Sequence, residues 1–547
     1  MKKTLIRLLS MSICVMLLLT SVAFAEETDF SGIDWDAIGW QPDPENLEYK
    51  AKTDPITLSY YVNFSWFGLN WDDPTAERMT ERTGVDLEFS KPVSDDGQKL
   101  NMMIAGNTLP DIMTLDRTDP AIQTMIEADM LYPIDELIEQ YAPQMKEILP
   151  EELLNNYKSE DGHTYVLTTW VQGEAWQKAA LQYNQMIGTN QYVWAVREDY
   201  YEEIGSPEIK TADDFIAALE QMSANHPDKL AFYCADTAMS ASTFSDRADL
   251  HNVGIQFGLN GSISILDGAA KWAVRDPKFL EAIKFLNTLA GKGLLTKDCF
   301  IDSKDVQNAR IQNGEVIAFS STISDVSKIP ADNPDTRYVV VGPLEGYQET
   351  RTGAGWLATL VPKTCKDPER AILFLEYCAS VQGHADISWG VQGDTYTDVV
   401  EGAHWNVVDG KPTMLADYMD VKNADWSGVA AQNGLGEYWF VCNEMLWNLA
   451  QWDPSNEVMA AYNETYGPLV QFKPEMDISN PATTSEEGII LQKAKSLLQE
   501  YSVKFVFEED PDATYSEFLS KLDELGMAQV EAYWDAIYQK NISNIAE

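Results

Sequence analysis

From Pro55 onward the chain switches repeatedly between two hydrophobic periods, and this limits the fold more than any other feature. "ITLSYYV" (56–62) is β-branched and aromatic and reads as a strand. Asp73-Pro74 then offers an N-cap followed by proline in the first turn, and Gly84 stops that helix. "VDLEFSKPV" is a second strand, "DDGQKLNMMIAG" a helix stopped by Gly106, and "PDIMTLD" a third strand. Strand, helix, strand, helix, strand is a pair of crossover units, so the expected class is α/β with a parallel sheet covered by helices. A second alternating region follows. "ADDFIAALEQMSA" aligns Phe215, Ala218, Leu219 and Met222 on one helical face, and "DPKFLEAIKFLNTLAGKG" does the same with Phe279, Ile283 and Leu286. "IQNGEVIAFSS" reads as helix end, turn and strand, "RYVVVGPLEG" as a strand, and "DPERAILFLEYCASVQG" as a strongly periodic helix. The tail from Thr514 to Asn541 is mostly helical in pattern. With 547 residues, one core cannot hold all of this, so two or more lobes are expected.

The start of the chain has another character. Lys2, Lys3 and Arg7 precede a short apolar run, Leu8 to Leu19, and Ala23-Phe24-Ala25 places small residues where a signal peptidase reads. Residues 1–25 are therefore expected to be an export signal cleaved after Ala25. Cys14 lies inside the apolar run, so no lipid-attachment site is expected. Residues 26–53 are acidic, contain Pro42 and Pro44, and read as an extended leader. The whole chain carries a formal charge of −47, and loss of three cationic residues with the signal leaves −50. Such a surface excludes nucleic acid, whose phosphates need basic partners, and is repelled by anionic membranes. The five remaining cysteines are widely spaced and odd in number, which is neither a disulfide framework nor a zinc pattern.

Catalytic signatures are mostly absent: no GxSxG elbow, no HExxH, no glycine-rich phosphate loop and no EF-hand spacing. The five histidines are scattered without ligand spacing. The 86 carboxylates would let an acid/base pair be drawn anywhere, so no pair is chosen. No catalytic or metal-ligating residue and no cofactor is expected. The informative excess is aromatic, with 16 tryptophans. An indole can bury the C–H face of a sugar ring while Asp, Asn, Gln and Arg pair with its hydroxyls. A lone tryptophan packs in a core more often than it meets a ligand, and Trp447 and Trp534, on helical patterns, read as core. The loop "NFSWFGLNWDD" (63–73) is better placed, because ligands of open α/β sheets bind outside the carboxyl ends of the strands. Trp66 is the first candidate platform and Asn63 a hydroxyl partner; Trp71 either joins them or packs under the next helix. Asp116 and Arg117 at the end of the third strand, with Trp170, Trp176, Trp272, Trp356 and Trp389, complete the candidate ligand-binding set.

Seven fragments in order carry a resemblance: "AGNTLPDIMTLD", "MLYPIDELIEQYAPQ", "VWAVREDYYEEIGSPEIKTADDFIAALEQM", "DPKFLEAIKFLNTLAGKGLL", "NGEVIAF", "ISWGVQGDTYT" and "VKFVFEEDPDATYSEFLSKLDELGMAQVEAYWDAIYQ". From about Pro55 to Asn541 the chain resembles the extracellular solute-binding proteins, family 1, of ATP-driven sugar importers, in their long-chain branch. The resemblance implies a periplasmic-binding-protein-like fold: two α/β lobes, a hinge, an interlobe ligand cleft and a helical C-terminal region. It implies an N-terminal lobe of 54–165 plus about 357–425, and a C-terminal lobe of about 166–356 plus 426–547. It also implies docking on ABC transporter permease subunits; the protein is expected to be a monomer, exported to an extracellular, cell-surface or periplasmic location. Long-chain relatives carry a calcium loop where this chain has "SANHPDKLAF" (223–232); that segment is short of oxygen ligands, so no calcium is expected there. The expected function is capture of a carbohydrate, a neutral oligosaccharide given the charge, and its delivery to a permease. The alternative is a secreted carbohydrate-active enzyme, a glycosidase or lyase, with tryptophan-lined subsites. A plain surface scaffold is disfavoured because nothing in the chain repeats.

Overall fold

The computed structural model describes residues 28–38, 40–65, 67–68, 71–94, 97–149, 158–159, 161–171, 192–234, 253–259, 261–300, 302, 304–323, 326, 336–438, 457–481 and 485–546. The expected signal, residues 1–25, lies outside them. In chain order the strands are β1 (Ile56–Val62), β2 (Val85–Ser90), β3 (Ile112–Asp116), β4 (Leu167–Val171), β5 (Tyr192–Arg197), β6 (Leu230–Cys234), β7 (Ile263–Leu266), β8 (Ala269–Trp272), β9 (Val316–Thr322), β10 (Tyr338–Val341), β11 (Glu349–Arg351), β12 (Ala354–Leu360), β13 (Trp405–Val408), β14 (Lys411–Met414) and β15 (Val470–Phe472). The helices used below are α1 (Pro74–Thr83), α2 (Gln98–Gly106), α3 (Pro120–Glu127), α4 (Ala212–Asn225), α5 (Pro277–Gly291), α6 (Pro368–Ala379), α7 (Glu486–Phe507), α8 (Pro511–Leu525) and α9 (Met527–Ala546).

The first lobe is built on a five-stranded sheet in the order β2-β1-β3-β12-β4. β2, β1 and β3 are parallel, as their crossover helices require, whereas β12 runs antiparallel to both β3 and β4. The sheet is therefore mixed rather than wholly parallel, because β12 returns from the other lobe. Both faces are covered. Leu58, Tyr60 and Val62 point into one core with Ile112 and the helix α6, and Tyr61 points into the other with Met113, Leu115 and Leu360. That double burial explains why "ITLSYYV" reads as a continuous apolar run instead of a strict alternation.

The local signals hold well in α1. Asp73 caps it by accepting the Ala76 N–H at 2.9 Å, Pro74 occupies the first turn, and Gly84 ends it with a φ of 69°. A Cβ at Gly84 would lie 2.1 Å from the Thr53 carbonyl oxygen, so no other residue fits. The cap alone contributes about 0.5–2 kcal/mol.

The second lobe has a four-stranded sheet, β10-β5-β9-β6, in which only β6 and β9 are parallel. Every residue of β5 is buried. Trp194 lies 5.2 Å from the Phe285 ring of α5, stacked, and 4.4 Å from the Phe215 ring of α4. The helices α7, α8 and α9 close the same core through Tyr501, Phe505, Phe518 and Trp534. The tail is thus helical and extends the second lobe. Trp534 is core, and Trp447 lies outside the described residues.

The lobes are joined by crossing segments. β10 in the second sheet leads through β11 to β12 in the first, and β11 pairs in parallel with β15. Behind this pair, the buried carboxylate of Glu349 accepts from Tyr347 at 2.7 Å, Tyr462 at 3.2 Å and the Arg351 Nε at 2.8 Å.

Two sequence expectations need correction. Residues 28–51 are not simply an extended leader. Ile33 packs into the second core and Leu47 and Tyr49 into the first, while Asp43 accepts the N–H groups of Val381 and Gln382 at 2.8 and 3.1 Å. Apolar residues spaced through an acidic segment give it something to bury, which its overall polarity hides. The expected boundaries also shift. β4 and the start of β12 belong to the first sheet. Within 381–435, Trp389, Trp405 and Tyr418 bury into the second cluster while Ile387 buries into the first. No helix of the described residues is long and apolar enough to cross a membrane.

Candidate functional site

The carboxyl ends of β1 and β3 and the amino end of β12 meet at one edge of the first sheet. There the Asn63 N–H donates to the Thr114 carbonyl at 3.0 Å and the Arg117 N–H donates to the Trp356 carbonyl at 2.9 Å. These backbone bonds bring Asn63, Phe64, Asp116, Arg117 and Trp356 together.

Trp356 is the feature of this edge. It is 42% exposed, among the largest exposed apolar side chains in the described residues. Its indole N–H donates to Asp116 Oδ2 at 3.0 Å, and the Phe64 ring lies 5.8 Å away, tilted by 56°. The ring is therefore fixed at its edge and packed beside Phe64, while a good part of the side chain stays exposed. Asp116 is itself oriented by Thr118, whose N–H and hydroxyl donate to Oδ1 at 2.8 and 2.7 Å.

Polar groups converge beside it. Asn63 accepts from the Tyr61 hydroxyl at 2.7 Å and its amide donates to Asp119 at 3.4 Å. Asp119 caps α3 by accepting the Ala121 N–H at 2.9 Å. Burial pushes the Asp119 carboxyl above its usual range, and the neighbouring Asp116 adds to this. An exposed indole beside a carboxylate, with an amide nearby, can stack on a sugar face while the polar groups pair with its hydroxyls. Among the described residues here no nucleophile–base pair is brought together. Among the described residues no group of three or more His, Cys, Asp or Glu is placed to share a metal ion.

The other expected residues fall elsewhere. Trp66 and Trp176 lie outside the described residues, as does the Trp170 side chain, whose backbone runs in β4 beside β12. Trp71 is core. It holds a left-handed backbone at φ 64°, its N–H donates to Thr80 at 2.9 Å, and its ring packs edge-on against Phe89, Phe374 and Tyr438. Phe67 of the same loop is buried too. Trp272 and Trp389 are fully buried in the second cluster, Trp272 against Phe518 of α8 and Trp389 against Trp405. Neither leaves a face for a ligand, because helices and loops distant in sequence cover both. Arg117 joins the edge, but its guanidinium donates to Asp477 and Gly355. Phe64 and Asp119 were missed. Phe64 stood in the loop already singled out, and Asp119-Pro120 carried the same capping signal as Asp73-Pro74.

Comparison with known proteins gives consistent results. Residues 75–395 match the model of a family described as bacterial extracellular solute-binding protein. A relative from Streptococcus pneumoniae serotype 4, the fructooligosaccharide ABC transporter substrate-binding protein FusA, is 24% identical over 333 residues, 58% of this chain. The chain spans 60% of the length of that curated relative. The solved structure of FusA in complex with kestose has a TM-score of 0.63 at 17% identity, over 89% of this chain and 100% of that one. An HMO-binding solute-binding protein associated with an ABC transporter, from Bifidobacterium longum infantis, has a TM-score of 0.66 at 13% identity, over 89% and 98%. The alginate-binding protein AlgQ2 has a TM-score of 0.60 at 17% identity, over the same shares. At these identities the structures show a shared fold. One FusA structure is an EF-hand mutant. A calcium site does not fit the segment 223–232 here, whose single carboxylate, Asp228, pairs with Lys229.

Proposed function

We propose, from the premise that this chain belongs to the bacterial extracellular solute-binding protein family, that it captures a neutral oligosaccharide between its lobes and delivers it to the permease of an ABC importer. The observation that carries the ligand class is Trp356, an indole held open at the carboxyl edge of the first sheet beside Asn63, Asp116 and Asp119. The oligosaccharides bound by the relatives agree with that chemistry. The glycosidase or lyase alternative has no support, since the matched family is one of binding proteins.

Neutrality rests on local charge. AlgQ2 is alginate-binding, so the fold alone does not select against an acidic sugar. Here the Asp116 carboxylate holds the edge of the exposed ring, Asp119 lies close enough to Asp116 for their charges to interact, and the neighbouring guanidinium is engaged by Asp477. A uronate would meet like charge at the platform, which disfavours it. The protein acts as a monomer exported by its first 25 residues, and its lobes close around the ligand through contacts made only in the closed form.

The test is a thermal-shift panel of neutral and uronic oligosaccharides with chromatography of the sugars afterwards. Neutral oligomers should raise the melting temperature and be recovered intact, and small-angle scattering should show a smaller radius of gyration with saturating sugar. Tighter binding of a uronate oligomer than of every neutral sugar at physiological salt would overturn the ligand class. Appearance of cleavage products would overturn the binding reading.

A further inference from the structure

Arg117 follows the last residue of β3 and carries a load its sequence position does not reveal. Its Nη1 and Nη2 donate to the two carboxylate oxygens of Asp477, each at 2.8 Å, and its Nε donates to the Gly355 carbonyl at 3.2 Å. A two-pronged pair of this kind fixes orientation as well as distance. Both side chains are largely covered, at 17% and 23% exposure, so the pair is shielded better than a surface ion pair.

The partners come from opposite lobes. Arg117 extends the first sheet. Asp477 follows β15 in a segment fixed to the second lobe: Asn541 of α9 donates to the carbonyls of Glu475 and Asp477 at 3.2 and 3.0 Å, and Ile478 packs on the second core. The same segment touches the crossing strands, because the Lys473 N–H donates to the Arg351 carbonyl at 2.7 Å. Arg117 thus grips the crossing connection at two points: Nε holds Gly355, and its backbone N–H holds the carbonyl of Trp356. Any change of lobe angle that displaces Asp477 is passed to the residues that carry the open indole.

We propose that Arg117 and Asp477 form a strut between the lobes that limits how far the cleft opens and positions the Trp356 platform. Its role in ligand capture rests on the sugar-binding reading above; the strut itself is a property of the ligand-free protein. Arg117 is then a positioning residue. A contact formed in only some lobe arrangements shifts the equilibrium by its differential free energy, and a modest one is enough to change populations several-fold.

The experiment uses the ligand-free full chain, with small-angle scattering and amide hydrogen exchange on wild type, Asp477→Asn, Arg117→Gln and the double variant. Asp477→Asn keeps the shape and removes the charge. It should increase the radius of gyration and speed exchange at the amides of residues 117 and 355–357 by about five-fold or more. The double variant should match the singles, since the strut is already gone. Should Asp477→Asn fail to fold, Arg117→Lys carries the same test, because it keeps the charge and loses the fork. A wild-type radius in a folded single variant, or effects that multiply in the double, would overturn the strut. No readout needs a sugar, so failure of the strut and failure of the oligosaccharide reading are separate results.

Discussion

Trp356 and Trp405 both have their indole nitrogen satisfied, yet Trp356 is exposed and Trp405 is buried. Trp356 donates to the Asp116 carboxylate and is 42% exposed. Trp405 donates to the Gly390 carbonyl at 3.0 Å and is fully buried, its ring 5.0 Å from Trp389 and 6.3 Å from Phe30. Satisfying the N–H therefore does not separate a platform from a core residue. Coverage does: Trp405 lies under the N-terminal segment through Phe30, whereas Trp356, beside Phe64 where β12 meets the carboxyl end of β3, stays 42% exposed. Of the tryptophans whose side chains are described, most serve packing, and a general aromatic excess is weak evidence for sugar binding.

The largest effect that could break this contrast is on stability. Trp405→Ala should cost about 3–5 kcal/mol, as for other large aromatic truncations in a core. Chemical denaturation measures it, and a loss below about 1 kcal/mol would mean the pair is not core at all. Next is a pH effect in the same buried cluster. His404 lies 4.8 Å from Tyr418; its Nδ1 accepts the Val391 N–H and its Nε2 donates to the Val399 carbonyl. Burial holds its pKa down to about 4 from an ordinary 6.5. The folded state thus prefers the neutral ring, and the unfolded state takes up the proton first. This contribution is full above about pH 6.5 and is lost as pH falls toward 4, amounting to about 3 kcal/mol at most. Thermal melts between these values should fall more steeply for wild type than for a folded His404→Gln variant; parallel slopes would exclude the imidazole as the cause.

The platform itself should respond in the opposite way. Trp356→Ala should weaken binding of the sugar found in the panel by about 1.5–3 kcal/mol, roughly 10- to 150-fold in Kd, from lost burial against the ring face. Its melting temperature without ligand should barely change. Titration calorimetry showing wild-type affinity would remove Trp356 from the site. The smallest expected effect sharpens the role of the anchor. Asp116→Ala frees the indole edge and should cost about 1 kcal/mol of affinity, the net worth of one hydrogen bond. If affinity is unchanged, the ring needs no anchoring.

How legible the site was from sequence follows the range of the interactions. Asn63 and Asp116 were readable as strand-end positions because strand ends are marked locally, and the carboxyl edge of an α/β sheet is where such sites are expected. Trp356 was only one of several tryptophans, and nothing within a few residues distinguishes it from Trp272 or Trp389. Arg117 was expected to face a ligand. Its partner, Asp477, is 360 residues away and carries no local mark. The leader was misread for the same reason, since Ile33, Leu47 and Tyr49 bury against segments far along the chain.

The sequence by itself determined the elements and their class. The two hydrophobic periods, the Asp-Pro caps at Asp73, Asp119, Asp276, Asp367 and Asp510, and the helix-stopping Gly84 are local devices, and each acts within one turn of the residue that supplies it. Seven ordered fragments were enough for the family. Only the tertiary structure decided which aromatic rings are covered and which charges are spent across the lobes. Burial is set by the layer above a residue, and that layer comes from elsewhere in the chain. An exposed indole and a buried one are the same letter until the sheet edge, the crossing strands and the leader have been put in place.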